Sequence, residues 1–221
     1  MRLNRKVAMG LGAIAVVGLT ATGCSSTSSS TPSNSATPSS SPSPVADIPK
    51  LTGVDTQVAL DKGFLDALTT LKLTPGVEGT ATLTDGVLKF PITGGNVTYY
   101  TPGSVSPYVT GNIMHDGSGI SLTNGKTKVE LTNFDLDPGT SKIMGKVTAN
   151  GAVVGDNVYI FNLDGSTLKP LENGSNNTAI LEGTRVLISP DAAALLNKTY
   201  GTTAVTDQLL VGIAKITVNT K

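Results

Sequence analysis

Lys128-Val129-Glu130-Leu131-Thr132-Asn133-Phe134 alternates polar and apolar side chains, the pattern of a strand with one buried and one wet face. Short β-rich runs surround it on both sides. Upstream lie Val87–Ile92, Val97–Tyr100 and Val109–Met114, punctuated by Asp85-Gly86, Gly94-Gly95 and Pro102-Gly103. Downstream lie Lys142–Ala149, Val153–Leu163, Ala179–Ile188 and Leu210–Val218. About ten strands at this spacing predict an all-β chain with two short helices, an antiparallel β-sandwich or partly open barrel.

Two segments carry helical signals instead. Between Val54 and Lys72, Leu60, Phe64, Leu65, Leu68 and Leu71 recur at helical spacing, with Asp55 or Thr56 as cap and Thr74-Pro75-Gly76 as the stop. Ser189-Pro190-Asp191 then opens a second helix with an N-cap, a proline at the first position and an acid at the positive end of the dipole. Gly201 closes it.

The N-terminus has a different composition. Arg2, Arg5 and Lys6 precede an uncharged run, Val7–Leu19, too short for a bilayer-spanning helix of about 20 residues. Ala21-Thr22-Gly23-Cys24 resembles the bacterial lipobox, which implies a lipoprotein lipidated at Cys24, the only cysteine. Ser25 to about Pro49 is rich in Ser, Thr and Pro and lacks groups to bury, so a disordered tether is expected. The expected organisation is a signal peptide over 1–23, lipidated Cys24 and tether over 24–49, and one β-rich domain over 50–221. That places the domain on the extracytoplasmic face of a cell membrane, with the membrane as partner through the anchor. Loss of Arg2, Arg5 and Lys6 leaves the mature chain at −3, with no basic run for nucleic acid or anionic lipid.

Catalytic constellations are sparse. His115, the single histidine, stands near Ser118, but Gly117-Ser118-Gly119 is not a Gly-x-Ser-x-Gly elbow and reads as a glycine-rich turn between strands. One histidine and no spare thiol leave little for zinc. Asp135, Asp137 and Asp164 supply oxygens in turns but match no EF-hand loop. No phosphate-binding glycine loop is present, and no catalytic residue is assigned.

Leu60-Asp-Lys-Gly-Phe64-Leu-Asp-Ala-Leu68, Phe90-Pro-Ile-Thr-Gly-Gly95 and Val109-Thr-Gly-Asn-Ile-Met-His115-Asp-Gly117 together resemble the HtaA-type domain of bacterial haem-uptake proteins. The resemblance runs from Val58 to Pro138, about half of the mature chain. It implies a two-sheet β fold with a short helix or two. It also implies haem held by a tyrosinate near the first helix, supported by a histidine from the His-Asp-Gly strand. His115 matches the histidine. The tyrosine does not carry over, because residues 63–68 read Gly-Phe-Leu-Asp-Ala-Leu. Tyr99, Tyr100 and Tyr108 are near in sequence but not at the matching place.

The leading expectation is a non-enzymatic binding or envelope-scaffold domain, with no cofactor required. The alternative is a carrier of a small hydrophobic ligand, haem or lipid, with His115, Tyr99, Tyr100 and Tyr108 as candidate ligand contacts. A hydrolase using Ser118 and His115 ranks last. An apolar pocket of roughly 300 Å³ or more separates carrier from scaffold.

Overall fold

The computed structural model describes residues 41–221. In chain order they form β1 (Ala46–Ile48), β2 (Val54–Leu60), α1 (Lys62–Thr70), β3 (Thr74–Gly79), β4 (Thr82–Thr84), β5 (Val87–Pro91), β6 (Gly94–Tyr99) and β7 (Val109–Asn124). β8 (Thr127–Asp137), β9 (Lys142–Ala149), β10 (Ala152–Asp164), β11 (Glu172–Asn173), β12 (Thr178–Ile188), α2 (Pro190–Tyr200) and β13 (Leu210–Asn219) follow. The signal peptide, Cys24 and most of the expected tether lie outside the described residues. Ala46–Ile48, counted with the tether from composition, instead pairs with Val97–Tyr99 of β6. No helix among the described residues is long and apolar enough to cross a membrane.

The strands form one antiparallel sheet in the order β1-β6-β7-β8-β9-β10-β12-β13-β2-β5-β4, with β3 added on β7 and β11 on β12. β5 and β6 stand near opposite ends of that order, yet only Ile92 and Thr93 separate them in the chain. A two-residue link cannot bridge an open sheet, so the sheet curls into a half-barrel. Thr93 fastens the seam: its N–H donates to the Met114 carbonyl at 2.8 Å, and its hydroxyl accepts from the Asp116 N–H at 2.9 Å.

Strand β8 bears out the alternation, with Val129, Leu131, Phe134 and Leu136 buried. The period slips once, where Thr132 and Asn133 follow each other. Asn133 adopts φ +53°, forming a bulge that returns Phe134 to the inner face.

Two expectations require correction. Val54–Leu60 is a strand, not the start of a helix. Thr56 and Val58 are buried at period 2, and the run pairs with β5 and β13. Helical spacing takes over only beyond Asp61, the true N-cap, whose carboxylate accepts from the Gly63 N–H at 2.8 Å. Likewise, Gly117-Ser118-Gly119 is not a turn between strands but a bulge inside the 16-residue β7. Gly117 supplies φ +71°, and a Cβ on Gly119 would stand 2.2 Å from the Leu131 carbonyl oxygen. The bulge lets the first half of β7 pair with β6 and the second half with β3.

Helix α2 forms as its caps dictate. The Ser189 hydroxyl accepts from the Ala192 N–H at 3.0 Å and donates to the Tyr159 carbonyl at 2.6 Å, and Gly201 ends the helix at φ +63°. Ser189 is fully buried, so Ser189→Ala removes a cap and a tie to β10 together. Urea denaturation should register a loss of about 1–2 kcal/mol with an unchanged m-value.

Candidate functional site

Inward-facing side chains from both halves of the curl do not meet fully. They leave a chamber of about 350 Å³ lined by β1, β2, β5–β10, β12, β13 and the segment before β7. Its deep wall is aromatic. The Phe90 and Phe134 rings meet edge to face at 5.4 Å, Phe134 and Phe161 are tilted against each other at 5.9 Å, and the His115 imidazole stands edge-on to Phe90 at 6.3 Å. These are three of the chain's four phenylalanines. Toward the opening the lining turns to Ile48, Leu163, Leu168, Leu171, Leu181 and Ile216, all only half-buried because they face the open space. Exposed Ser106 and Ser141, with half-buried Tyr108, mark the mouth.

His115 lies inside strand β7 and is 1 % exposed. Its Nε2 is 2.8 Å from the hydroxyl of Thr56, itself buried on β2 across the interior. Burial pushes the imidazole pKa down to about 4; the backbones of Phe134 and Ile113 and the Asp116 carboxylate oppose that pull only in part. The ring is therefore neutral at physiological pH. Nδ1 has no hydrogen-bond partner and next to no accessible surface, so it faces protein rather than the chamber. The Ser118 hydroxyl donates to the His115 carbonyl at 3.0 Å and never reaches the imidazole. No nucleophile–base pair forms, and the site is not built as a hydrolase. Among the described residues no group of three or more His, Asp or Glu side chains could hold a metal ion.

The structure gathers three of the four candidate contacts around this chamber. Tyr99 and Tyr108 line it and pack edge to face at 6.0 Å. Burial, and then the neighbouring Tyr99, raise the Tyr108 phenol above its ordinary pKa, so it remains a neutral hydroxyl. Tyr100 does not line the chamber; its N–H donates to the Tyr108 carbonyl at 2.8 Å. Tyr108 immediately precedes β7 and His115 is its seventh residue, so at about 3.3 Å per strand residue the two stand well apart along the chamber wall. Sequence reasoning missed Thr56, taken for a helix cap, and the three phenylalanines. It also missed the aliphatic rim, whose residues carry no signal distinguishing a cavity wall from a filled core.

The sequence matches no protein-family model and no curated protein. Among solved structures, the C-terminal domain of HtaA from Corynebacterium glutamicum superposes with a TM-score of 0.52 at 13 % identity, covering 78 % of this chain and 97 % of that one. A domain-swapped dimer of its H434A variant gives 0.46 at 12 % identity, over 71 % of this chain and 90 % of that one. The heme-binding protein HtaB from the same organism gives 0.38 at 8 % identity, over 78 % of this chain and 95 % of that one. The first likeness establishes the fold. It also corrects the sequence-based recognition, which put a lipoprotein first and limited the HtaA-type resemblance to Val58–Pro138. The shared fold extends over most of the chain, and no comparison supports a lipobox.

The imidazole gives stability a pH dependence of defined sign. Above the ordinary histidine pKa of 6.5 the ring is neutral whether folded or unfolded. Below it the unfolded chain takes the proton first, so stability is lost as pH falls from about 6.5 to about 4, on the order of 3 kcal/mol in full. His115 is the only histidine, so His115→Gln should remove this component. Urea midpoints of the two proteins across that range measure the difference.

Proposed function

We propose that this domain is a non-enzymatic carrier that encloses a small apolar ligand between the two halves of its curled sheet. One observation carries the proposal: a chamber of about 350 Å³, apolar in its lining and open at one end, in a fold whose other interior positions are packed. That volume falls within the roughly 300–1,000 Å³ of small-ligand sites, where an envelope scaffold needs no such space. The HtaA-type fold supports binding over catalysis.

Haem itself fits these residues poorly. Residues 63–68, near which the resemblance expects a tyrosinate, hold no tyrosine, and their one aromatic residue, Phe64, is buried on α1 and does not line the chamber. His115 commits Nε2 to Thr56 and turns Nδ1 toward protein. No lysine or arginine lines the chamber to meet the propionates. Haem is accordingly a competing outcome of the test rather than the main reading.

Native mass spectrometry of the full chain purified from its own cells should record a bound species that organic solvent releases. Ile216→Trp and Leu163→Trp each fill the half-buried rim, and both variants should lose that species while keeping a wild-type circular dichroism spectrum. A folded wild-type chain carrying nothing, and taking up neither haemin nor lipid when titrated, would exclude the carrier role. Haemin uptake with a Soret band that disappears in His115→Ala would select haem instead.

A further inference from the structure

The chamber also constrains the charge of what enters it. None of its lining residues is Asp, Glu, Lys or Arg, and its one imidazole is neutral. Basic residues do occur beside lining residues: Lys142 follows Ser141, Lys169 follows Leu168, and Lys89, Arg185 and Lys215 each sit between two lining residues, but none of the five lines the chamber itself. Three of them are engaged elsewhere. The Lys142 ammonium stands 4.9 Å over the Tyr159 ring, Lys169 pairs with Glu182 at 2.6 Å, and Arg185 pairs with Asp164 at 2.6 Å. Strand alternation explains the placement of Arg185, since neighbours of an inward residue point outward.

The acids beside the mouth are held by neighbours rather than turned into the lining. Asp47, between the lining residues Ala46 and Ile48, accepts from the Thr98 hydroxyl at 2.9 Å. Asp137, next to Pro138, accepts from the Thr140 hydroxyl at 2.7 Å. Asp164, next to Gly165, holds Arg185. Asp47 and Asp137 keep their charge, but no residue that lines the opening is charged. What the mouth does offer is hydroxyl groups, on Ser106, Ser141 and Tyr108.

Resting on the carrier reading, we infer that the ligand is a neutral lipid: an aliphatic body in the chamber, ending in a hydroxyl or ester at the mouth. A carboxylate, phosphate or porphyrin propionate there would lose water without gaining a counter-charge, a loss the apolar contacts must offset. A hydroxyl or ester loses far less and can exchange hydrogen bonds with the mouth hydroxyls.

Displacement of Nile red from the full chain at pH 8 tests this with five probes of one chain length. They are 1-hexadecanol, monopalmitoylglycerol, palmitate, hexadecyl phosphate and hexadecyltrimethylammonium. The alcohol and the monoglyceride should bind at least about tenfold more tightly than any charged probe, and Ile216→Trp should abolish that binding. Ser106→Lys, which places a cation at the exposed mouth, should narrow the gap between palmitate and hexadecanol by about tenfold. Palmitate, phosphate or ammonium binding as tightly as the alcohol would overturn the inference and leave the carrier reading standing. Uptake of haemin with no binding of the neutral probes would do the same. Failure of every probe, haemin included, would bring down the carrier reading itself.

Discussion

The hydrogen bond between His115 on β7 and Thr56 on β2 joins strands that are far apart in the sheet order and opposed across its interior. The other contacts there are between apolar side chains, and apolar contacts are non-directional, so they resist a slip of one wall against the other only weakly. A buried polar pair has a single satisfactory partner arrangement, and leaving either member unpaired costs on the order of 1–3 kcal/mol. The pair therefore fixes how the curl closes. Thr93 does the same at the seam, where β5 passes into β6. With one cysteine in the whole chain, no disulfide is available to do this work.

That closure depends in turn on the bulge in β7. A straight 16-residue strand could not serve β6 at one end and β3 at the other while keeping its inner face toward the same interior. Gly117 and Gly119 make the bend, one through its positive φ and one through its close approach to β8. The Ser118 hydroxyl then satisfies the His115 carbonyl that the bend takes out of register. A triplet that resembles a damaged catalytic motif is a structural hinge whose product is the orientation of the imidazole.

Local chemistry was legible in the sequence; relations between distant segments were not. Helix α2 could be read to the residue because Ser189, Pro190 and Gly201 each act within one turn. Strand β8 could be read because burial on one face imposes a period, and its single error, at Asn133, lies where two polar residues conceal a bulge. Val54–Leu60 was misread because its leucine also fits the helical spacing that follows, whereas its strand character depends on pairing with β13, more than 150 residues away. The environment of His115 was not legible, since a His-Asp-Gly sequence suits a turn and a buried bulge equally well. The chamber was the least legible feature. Leu163, Leu181 and Ile216 are the residues a filled core would use, and only the curvature of the sheet leaves space beside them.

The same physics governs the histidine and the ligand. Desolvation keeps the imidazole neutral down to about pH 4, because Asp116 and the backbones around it compensate only in part. A charged group on a guest moving along that wall would face the same penalty, and no lining residue carries a charge to offset it. His115 is already shut off from solvent at 1 % exposure, so its neutrality is a property of the closed curl itself: it lasts as long as β2 and β7 stay opposed across the interior.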